Sequence, residues 1–255
     1  MMKKLLDHEI GLLSAYRFAS NMDSSAFFFS ALDLLKPEKL QTILMEIQNR
    51  LKAPDLKVAA SLLIKRYGFF AVINMYSMSM LNIKFNSNLE NISFQEKGHT
   101  GWMLEILYKD NTGYILEADR EKAREEVCKE TFALHLHLII DILFKETKLP
   151  KQIMWENIAT YIFWLYENLQ GQYKGKSEEQ TIRSDFHYLI NEAPGRIFHA
   201  RTNPFRRFYT EKKFLQKQEK FVRVRKTCCL SHMLDTKQTM CAGCPHNRSL
   251  KKVTE

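Results

Sequence analysis

The feature that most restricts the fold is the segment PDLKVAASLLIKRYGFFAVINMYSMSML, residues 54–81, which is apolar on nearly every side of a helical projection. A surface helix keeps one polar face, so a helix this hydrophobic all round must be covered from all directions. Proline followed by aspartate marks its start, since proline is tolerated in a first turn and an acid complements the N-terminal dipole. The longest apolar run within it, residues 69–81, contains Asn74 and two serines. It falls short of the ~18 to 20 residues that span a bilayer. The segment therefore reads as the buried central helix of a domain, with a break expected at Gly68. A chain of 255 residues that is 45% hydrophobic can wrap such a helix without disulfide staples.

Around it the pattern is mostly helical. Helices are expected over residues 5–18, over 26–35 after the polar Met22-Asp-Ser-Ser, and from Pro37 to just before Pro54. From residue 83 to about 119 the texture changes. Glycines at 98, 101 and 113 and the turn-like Lys-Asp-Asn-Thr-Gly lie among short β-branched and aromatic runs, which predicts short antiparallel hairpins. Helical pattern resumes at Arg120, continues over 151–170, and stops at the polar link 171–180. Pro194-Gly195 and Pro204 then allow only short helices and loops before a charged helix, EKKFLQKQEKF, at 211–221. The expected class is α+β: a mainly helical body over 1–200 with β hairpins at about 83–119, and a separate C-terminal region over 201–255.

Charge divides the chain at the same place. The net charge is +9, yet residues 201–255 carry 14 Lys and Arg against four Asp and Glu, leaving the first 200 residues at about −1. Nucleic acid, an anionic small ligand, a membrane surface and an acidic protein all suit such a patch.

The cysteines share that region. Four of the five fall within RKTCCLSHMLDTKQTMCAGCPH, as Cys228-Cys229, eleven residues, then Cys241-x-x-Cys244. Cys241 and Cys244 form a two-ligand turn that Gly243 lets fold back. Side chains of adjacent residues in an extended chain leave on opposite faces, so Cys228 and Cys229 reach one tetrahedral zinc only from a tight bend. Two irons spread the sulfurs and relieve that difficulty. This favours iron-sulfur and leaves a structural zinc open. The start, MMKKLLDHEIGLL, meets Asp7 and Glu9 before an export-signal apolar run develops. The expected place is the reducing cytoplasm, in solution or peripheral at the inner face of the membrane.

Other motifs are weaker. His135 and His137 point about 200° apart on an α-helix, against the i, i+4 spacing of chelating helical histidines. Tyr161, Phe163, Trp164 and Tyr166 read as core. Asp185 and His187 have no nucleophile beside them, Cys128 reads as an ordinary thiol, and phosphate loops, dinucleotide fingerprints and nucleophile elbows are missing.

The cysteine segment resembles the C-terminal signature of the FhuF-like ferric siderophore reductases, through its basic residues before CC, the following leucine and the CPH ending. The segments at 60–81, Trp155-Glu-Asn157 and NPFRRFY at 203–209 resemble the family's body. The cysteine loop is eleven residues here and ten in the family pattern. The resemblance implies a C-terminal iron-sulfur subdomain in which Cys228, Cys229, Cys241 and Cys244 hold a 2Fe-2S cluster. The implied activity is one-electron reduction of siderophore-bound Fe(III), with electrons from a cytosolic ferredoxin or flavoprotein and with no nucleic acid as partner. Arg206, Arg207, Lys212, Lys213, Arg223, Arg225 and Lys226 are candidates for steering chelate or donor, and His232 and His246 for hydrogen-bonding cluster sulfur. Two other readings are a zinc-stabilised basic module that binds nucleic acid or another anion, and a siderophore-binding protein whose cluster is only a sensor.

Overall fold

A computed structural model of the chain describes residues 1–23, 26–96, 102–215, 219–234 and 240–246. The class is α+β and mainly helical, as expected. The chain begins with β1 (Met2–Lys3), α1 (Asp7–Ser14), β2 (Phe18–Ala19) and β3 (Phe28–Ser30). A 3-10 turn at Leu32–Leu35 leads to α2 (Pro37–Leu51) and the central α3 (Leu56–Tyr76), which ends in a π-helical turn over Ser77–Leu81. Then come β4 (Ile83–Lys84), β5 (Ile92–Glu96), β6 (Leu104–Tyr108) and β7 (Gly113–Ile115). Helix α4 (Arg120–Cys128) passes through a π-helical stretch, Lys129–Leu136, into α5 (His137–Thr147). Helices α6 (Lys151–Gln172), α7 (Glu179–His187) and α8 (Pro204–Phe208) follow, and the strands β8 (Lys212–Leu215) and β9 (Lys220–Arg223) lead to the cysteines.

Helix α3 is the axis of the fold. The Asp55 carboxylate accepts the Val58 N–H at 2.8 Å and caps its first turn. From Val58 to Tyr76 every residue is buried except Lys65 and Arg66. Each large side chain so covered contributes roughly 1.5–3 kcal/mol of transfer free energy. Gly68 does not break the helix. A Cβ there would lie 3.2 Å from the Tyr161 ring and 3.4 Å from the Ile158 Cα, so the glycine is the point where α3 and α6 cross closely.

The sheets draw on more of the chain than residues 83–119. A three-stranded antiparallel sheet runs β1-β7-β4, and a four-stranded one runs β2-β6-β5-β3 with β2 parallel to β6. The expected helix at 26–35 is instead β3 and the 3-10 turn, and the expected helix at 5–18 stops at Ser14. Pairing decides both: Phe29 stands opposite Phe94 in the register and stacks on it at 5.2 Å, which a helix at 26–35 would forgo. The glycines at 98 and 101 lie outside the described residues.

The expected charged helix at 211–221 is the β8–β9 hairpin. Phe214 faces Phe221 across it, with ring centroids 5.1 Å apart, and Lys212 pairs with Arg223 in the register. The cross-strand aromatic pair outweighs the weak helical preference of a lysine-rich run.

His135 and His137 have separate surroundings. His135 is buried, with Nε2 2.5 Å from the Tyr67 hydroxyl and Nδ1 2.6 Å from the Ser87 carbonyl oxygen. His137 sits beside Asp141 at 3.4 Å and stacks on His199. Burial pushes the His135 imidazole from its ordinary 6.5 down to about 4. The unfolded chain takes up a proton below pH 6.5 that the folded chain refuses, so this contribution is whole above 6.5 and is lost as pH falls toward 4. Its size is on the order of 3 kcal/mol. Urea unfolding between pH 7 and pH 4.5 should show this acid slope, and His135→Gln should flatten it; equal slopes would remove His135 as its source.

Candidate functional site

The C-terminal segment is held against the α3–α6 crossing by a buried polar seam. On α6, Glu156 and Asn157 are buried side by side. The Glu156 carboxylate accepts the backbone N–H of Lys226 at 2.7 Å and of Thr227 at 2.6 Å, together with the Thr227 hydroxyl. The Asn157 amide donates to the Ser61 carbonyl at 3.0 Å and to its hydroxyl at 3.1 Å, while the Asn157 oxygen accepts the Arg225 guanidinium at 2.7 Å. Ser61 in turn donates its hydroxyl to the Cys229 carbonyl at 2.9 Å. Every member is at most 8% exposed apart from the Lys226-Thr227-Cys228 stretch, so each polar group needs the partner it has.

That seam fixes the backbone from which the adjacent cysteines project. Leu230 takes the left-handed conformation at φ 61°, which bends the chain directly after them. The CxxC turn closes with the Cys244 N–H donating to the Cys241 carbonyl at 2.9 Å, and the Arg225 N–H donates to the Gly243 carbonyl at 2.9 Å. A Cβ on Gly243 would stand 2.6 Å from the Arg223 carbonyl oxygen, so only glycine permits this approach.

The cysteines act on one another's ionisation, Cys229 chiefly with Cys241 and Cys228 with Cys244. The hydrogen bond from Cys241 lowers the Cys229 thiol against the opposing effect of burial, with help from Lys65, Ser231 and Arg225; the same bond raises Cys241. Burial raises Cys228. Further donors surround the sulfurs. The Lys65 ammonium lies 3.9 Å and the Ser231 hydroxyl 3.2 Å from the Cys229 sulfur, and the Leu230 N–H donates to Cys228 at 3.4 Å. His232 Nδ1 is 3.4 Å from the Cys228 sulfur, whereas His246 is exposed with its ring 5.9 Å from that of His232. Among the described residues no group of three or more His, Cys, Asp and Glu side chains forms a ready-made cage for one metal ion. Two thiol pairs amid N–H and O–H donors suit a centre that spreads four thiolates over two irons.

A cavity of about 450 Å³ opens beside Cys241, between α6 and the β8–β9 hairpin. Tyr161, Phe163, Trp164 and Phe221 give it aromatic walls. Of the seven basic candidates, Lys212, Arg223 and Arg225 line it. Lys212 pairs with Glu167 at 2.6 Å, Arg223 pairs with the same carboxylate and lies over the Tyr209 ring, and Arg225 belongs to the seam. Arg206 and Arg207 are exposed on α8, Lys213 is exposed on β8, and Lys226 contributes its backbone N–H. Sequence reasoning misses Lys65, whose only signal is a charge inside an apolar helix, and the expectation that Trp164 is core is corrected here, since it is exposed at the cavity.

Elsewhere, Asp185 is buried among Arg120, Arg124 and Ser79, a structural ion cluster, and burial pushes the nearby Cys128 thiol far above its ordinary range. His187 pairs with Glu192 at the surface.

The family model described as ferric iron reductase FhuF-like transporter matches residues 61–213, more than half of the chain. The chain belongs to the FhuF-like family. The matched span runs from Ser61, includes Glu156 and Asn157, and ends before Cys228, so the seam joins FhuF-like body to cysteine segment. A search of curated proteins gave no match. No helix among the described residues is long and apolar enough to cross a membrane.

Glu156 also forms a buried ion pair with Arg225 at 3.8 Å, and removing one partner of such a pair costs about 3–5 kcal/mol, because the other charge is left uncompensated. Glu156→Ala also strips the acceptor from two backbone N–H groups. Urea unfolding should show a loss in that range, with the Arg225–Cys229 segment opened to proteolysis before the body; unchanged stability would mean that the seam does not hold it.

Proposed function

We propose that the protein is a ferric siderophore reductase, which passes one electron to Fe(III) held by a siderophore and releases Fe(II) in the cytoplasm. The observation that carries this reading is the cysteine segment itself, with its CxxC turn and its bend after Cys228-Cys229, tied by a buried seam to a body of the FhuF-like family. Cys228, Cys229, Cys241 and Cys244 would hold a 2Fe-2S cluster. Such a cluster supplies a one-electron carrier whose potential responds to charge and hydrogen bonds at its sulfurs.

The residues around the sulfurs suit that task. Four thiolates carry more negative charge than two ferric irons and two sulfides offset, and Lys65, the Leu230 N–H and the Ser231 hydroxyl face that excess. Arg225 adds a buried positive charge to the same face. The substrate needs no acid, base or nucleophile. Fe(III) is hard and held by oxygen donors, and Fe(II) binds the same donors more weakly. The balance is one electron in from a reduced ferredoxin or flavoprotein and one electron out to Fe(III), with no covalent bond of the ligand broken. Lys212, Lys213 and Arg223 on the hairpin, with Arg206, Arg207 and Lys226 nearby in sequence, give the region the positive field that draws in an anionic chelate or an acidic donor.

Protein purified without oxygen should carry about two irons and two sulfides per chain. Its visible absorption should bleach with dithionite as an S = 1/2 signal appears, and the reduced protein should reoxidise when mixed with a ferric siderophore. Cys229→Ser and Cys241→Ser should each lose the absorption and the electron transfer. A colourless chain with one zinc, or variants that keep cluster and activity, would refute the assignment.

A further inference from the structure

The cavity beside Cys241 has a composition that the electron-transfer reading does not require. Its walls hold five basic side chains and two carboxylates. Glu167 is taken by Lys212 and Arg223, and Glu156 by the seam. Lys65 and Lys220 are left with no carboxylate partner among the described residues, and both line the cavity. Two large aromatics that line the cavity are partly exposed: Trp164 is 42% exposed and Phe221 67% exposed. Exposed apolar side chains gathered in one hollow, unlike those scattered singly over a surface, are a feature of ligand-binding grooves. Flat apolar surface beside ammonium groups that no carboxylate neutralises selects a ligand that is at once planar and anionic.

We propose that this cavity binds an aryl-oxygen arm of an anionic ferric chelate, with its ring against Trp164 and Phe221 and its charge toward Lys220 and Lys65. The assignment rests on the reductase reading and narrows its substrate class: chelates with aromatic oxygen ligands and net negative charge, in preference to neutral trihydroxamates. The cavity volume, about 450 Å³, suits one arm of such a chelate more than a whole one. Cys241, Ala242 and Gly243 form part of the same wall, so an arm seated here brings its metal to the cysteine side of the protein. Lys65 has a double position, since it lines the cavity and its ammonium also lies 3.9 Å from the Cys229 sulfur.

Gallium(III) complexes test this without electron transfer, because the metal has the charge and oxygen preference of Fe(III) and is not reduced. Calorimetric titration of the full anaerobic protein should show a gallium tris-catecholate complex binding roughly tenfold or more tighter than a neutral gallium trihydroxamate. Trp164→Ala and Lys220→Glu should each weaken catecholate binding by about tenfold, the scale of one aromatic contact or one partly screened charge pair. Both positions are exposed, so their visible spectrum should stay that of the parent. Lys39→Glu makes the same change in overall charge on α2 and should leave binding unaltered. Equal binding of the two complexes, or an effect of Lys39→Glu as large as that of Lys220→Glu, overturns the cavity assignment. A chain that reduces ferric chelates yet shows such results keeps the reductase reading and loses only this one; a chain without the cluster loses the reductase reading, which the gallium titration does not measure.

Discussion

A carboxylate buried on an apolar helix has to be surrounded by donors, and Glu156 is the residue on which the arrangement of this molecule turns. Its donors come from the backbone of Lys226 and Thr227 and from the Thr227 hydroxyl, 70 and 71 residues further along the chain. Left alone, the charge would cost several kcal/mol. Asn157 repeats the arrangement one residue on, engaging Ser61 of α3 and Arg225 together. The consequence is that the cysteine segment does not simply follow the body in sequence. It completes the hydrogen bonding of the two helices that form the core, and the core fixes the backbone of Cys229 through Ser61.

The same constraint explains why α3 and α6 approach so closely. Gly68 removes the side chain that would hold them apart at Tyr161 and Ile158, and with the helices in contact the Asn157 amide reaches both the carbonyl and the hydroxyl of Ser61. Packing and polar matching thus depend on each other. The one cation of α3 near the sulfurs, Lys65, projects from the edge of this contact toward Cys229 and the cavity.

The sequence made the large elements legible because their signals are local. Proline then aspartate announced α3, its all-round hydrophobicity announced its burial, and turn chemistry announced strands after residue 83. What stayed hidden depends on partners distant in sequence. Phe28–Ser30 has no strand signature by itself, and it is a strand because β5 lies beside it. The run at 211–221 has the composition of a solvated helix, and Phe214 and Phe221 make it a hairpin only by facing each other. Gly68 resembled a helix breaker because a single sequence does not reveal the helix that crosses there. The Cys228, Cys229, Cys241 and Cys244 set was readable from spacing, yet Glu156, Asn157 and Ser61, which hold its backbone, gave only the loose sign of polar residues inside apolar helices.

Trp164 illustrates the limit most clearly. On α6 it stands among Phe163, Leu165 and Tyr166, which are buried, and nothing in the local pattern separates it from them. Its exposure arises because the hairpin covers α6 from one side and leaves a hollow instead of a sealed contact. Arg223 helps to set that spacing. It lies over the Tyr209 ring at 4.0 Å and pairs with Glu167, which holds β9 beside α6 while Lys212 anchors β8 to the same carboxylate. A helix at 211–221 would have had no paired strand to carry both cations to Glu167. The β structure of this basic segment is therefore what gives the molecule a cavity next to its cysteines, lined by two lysines without a carboxylate partner among the described residues and by two part-exposed aromatic rings.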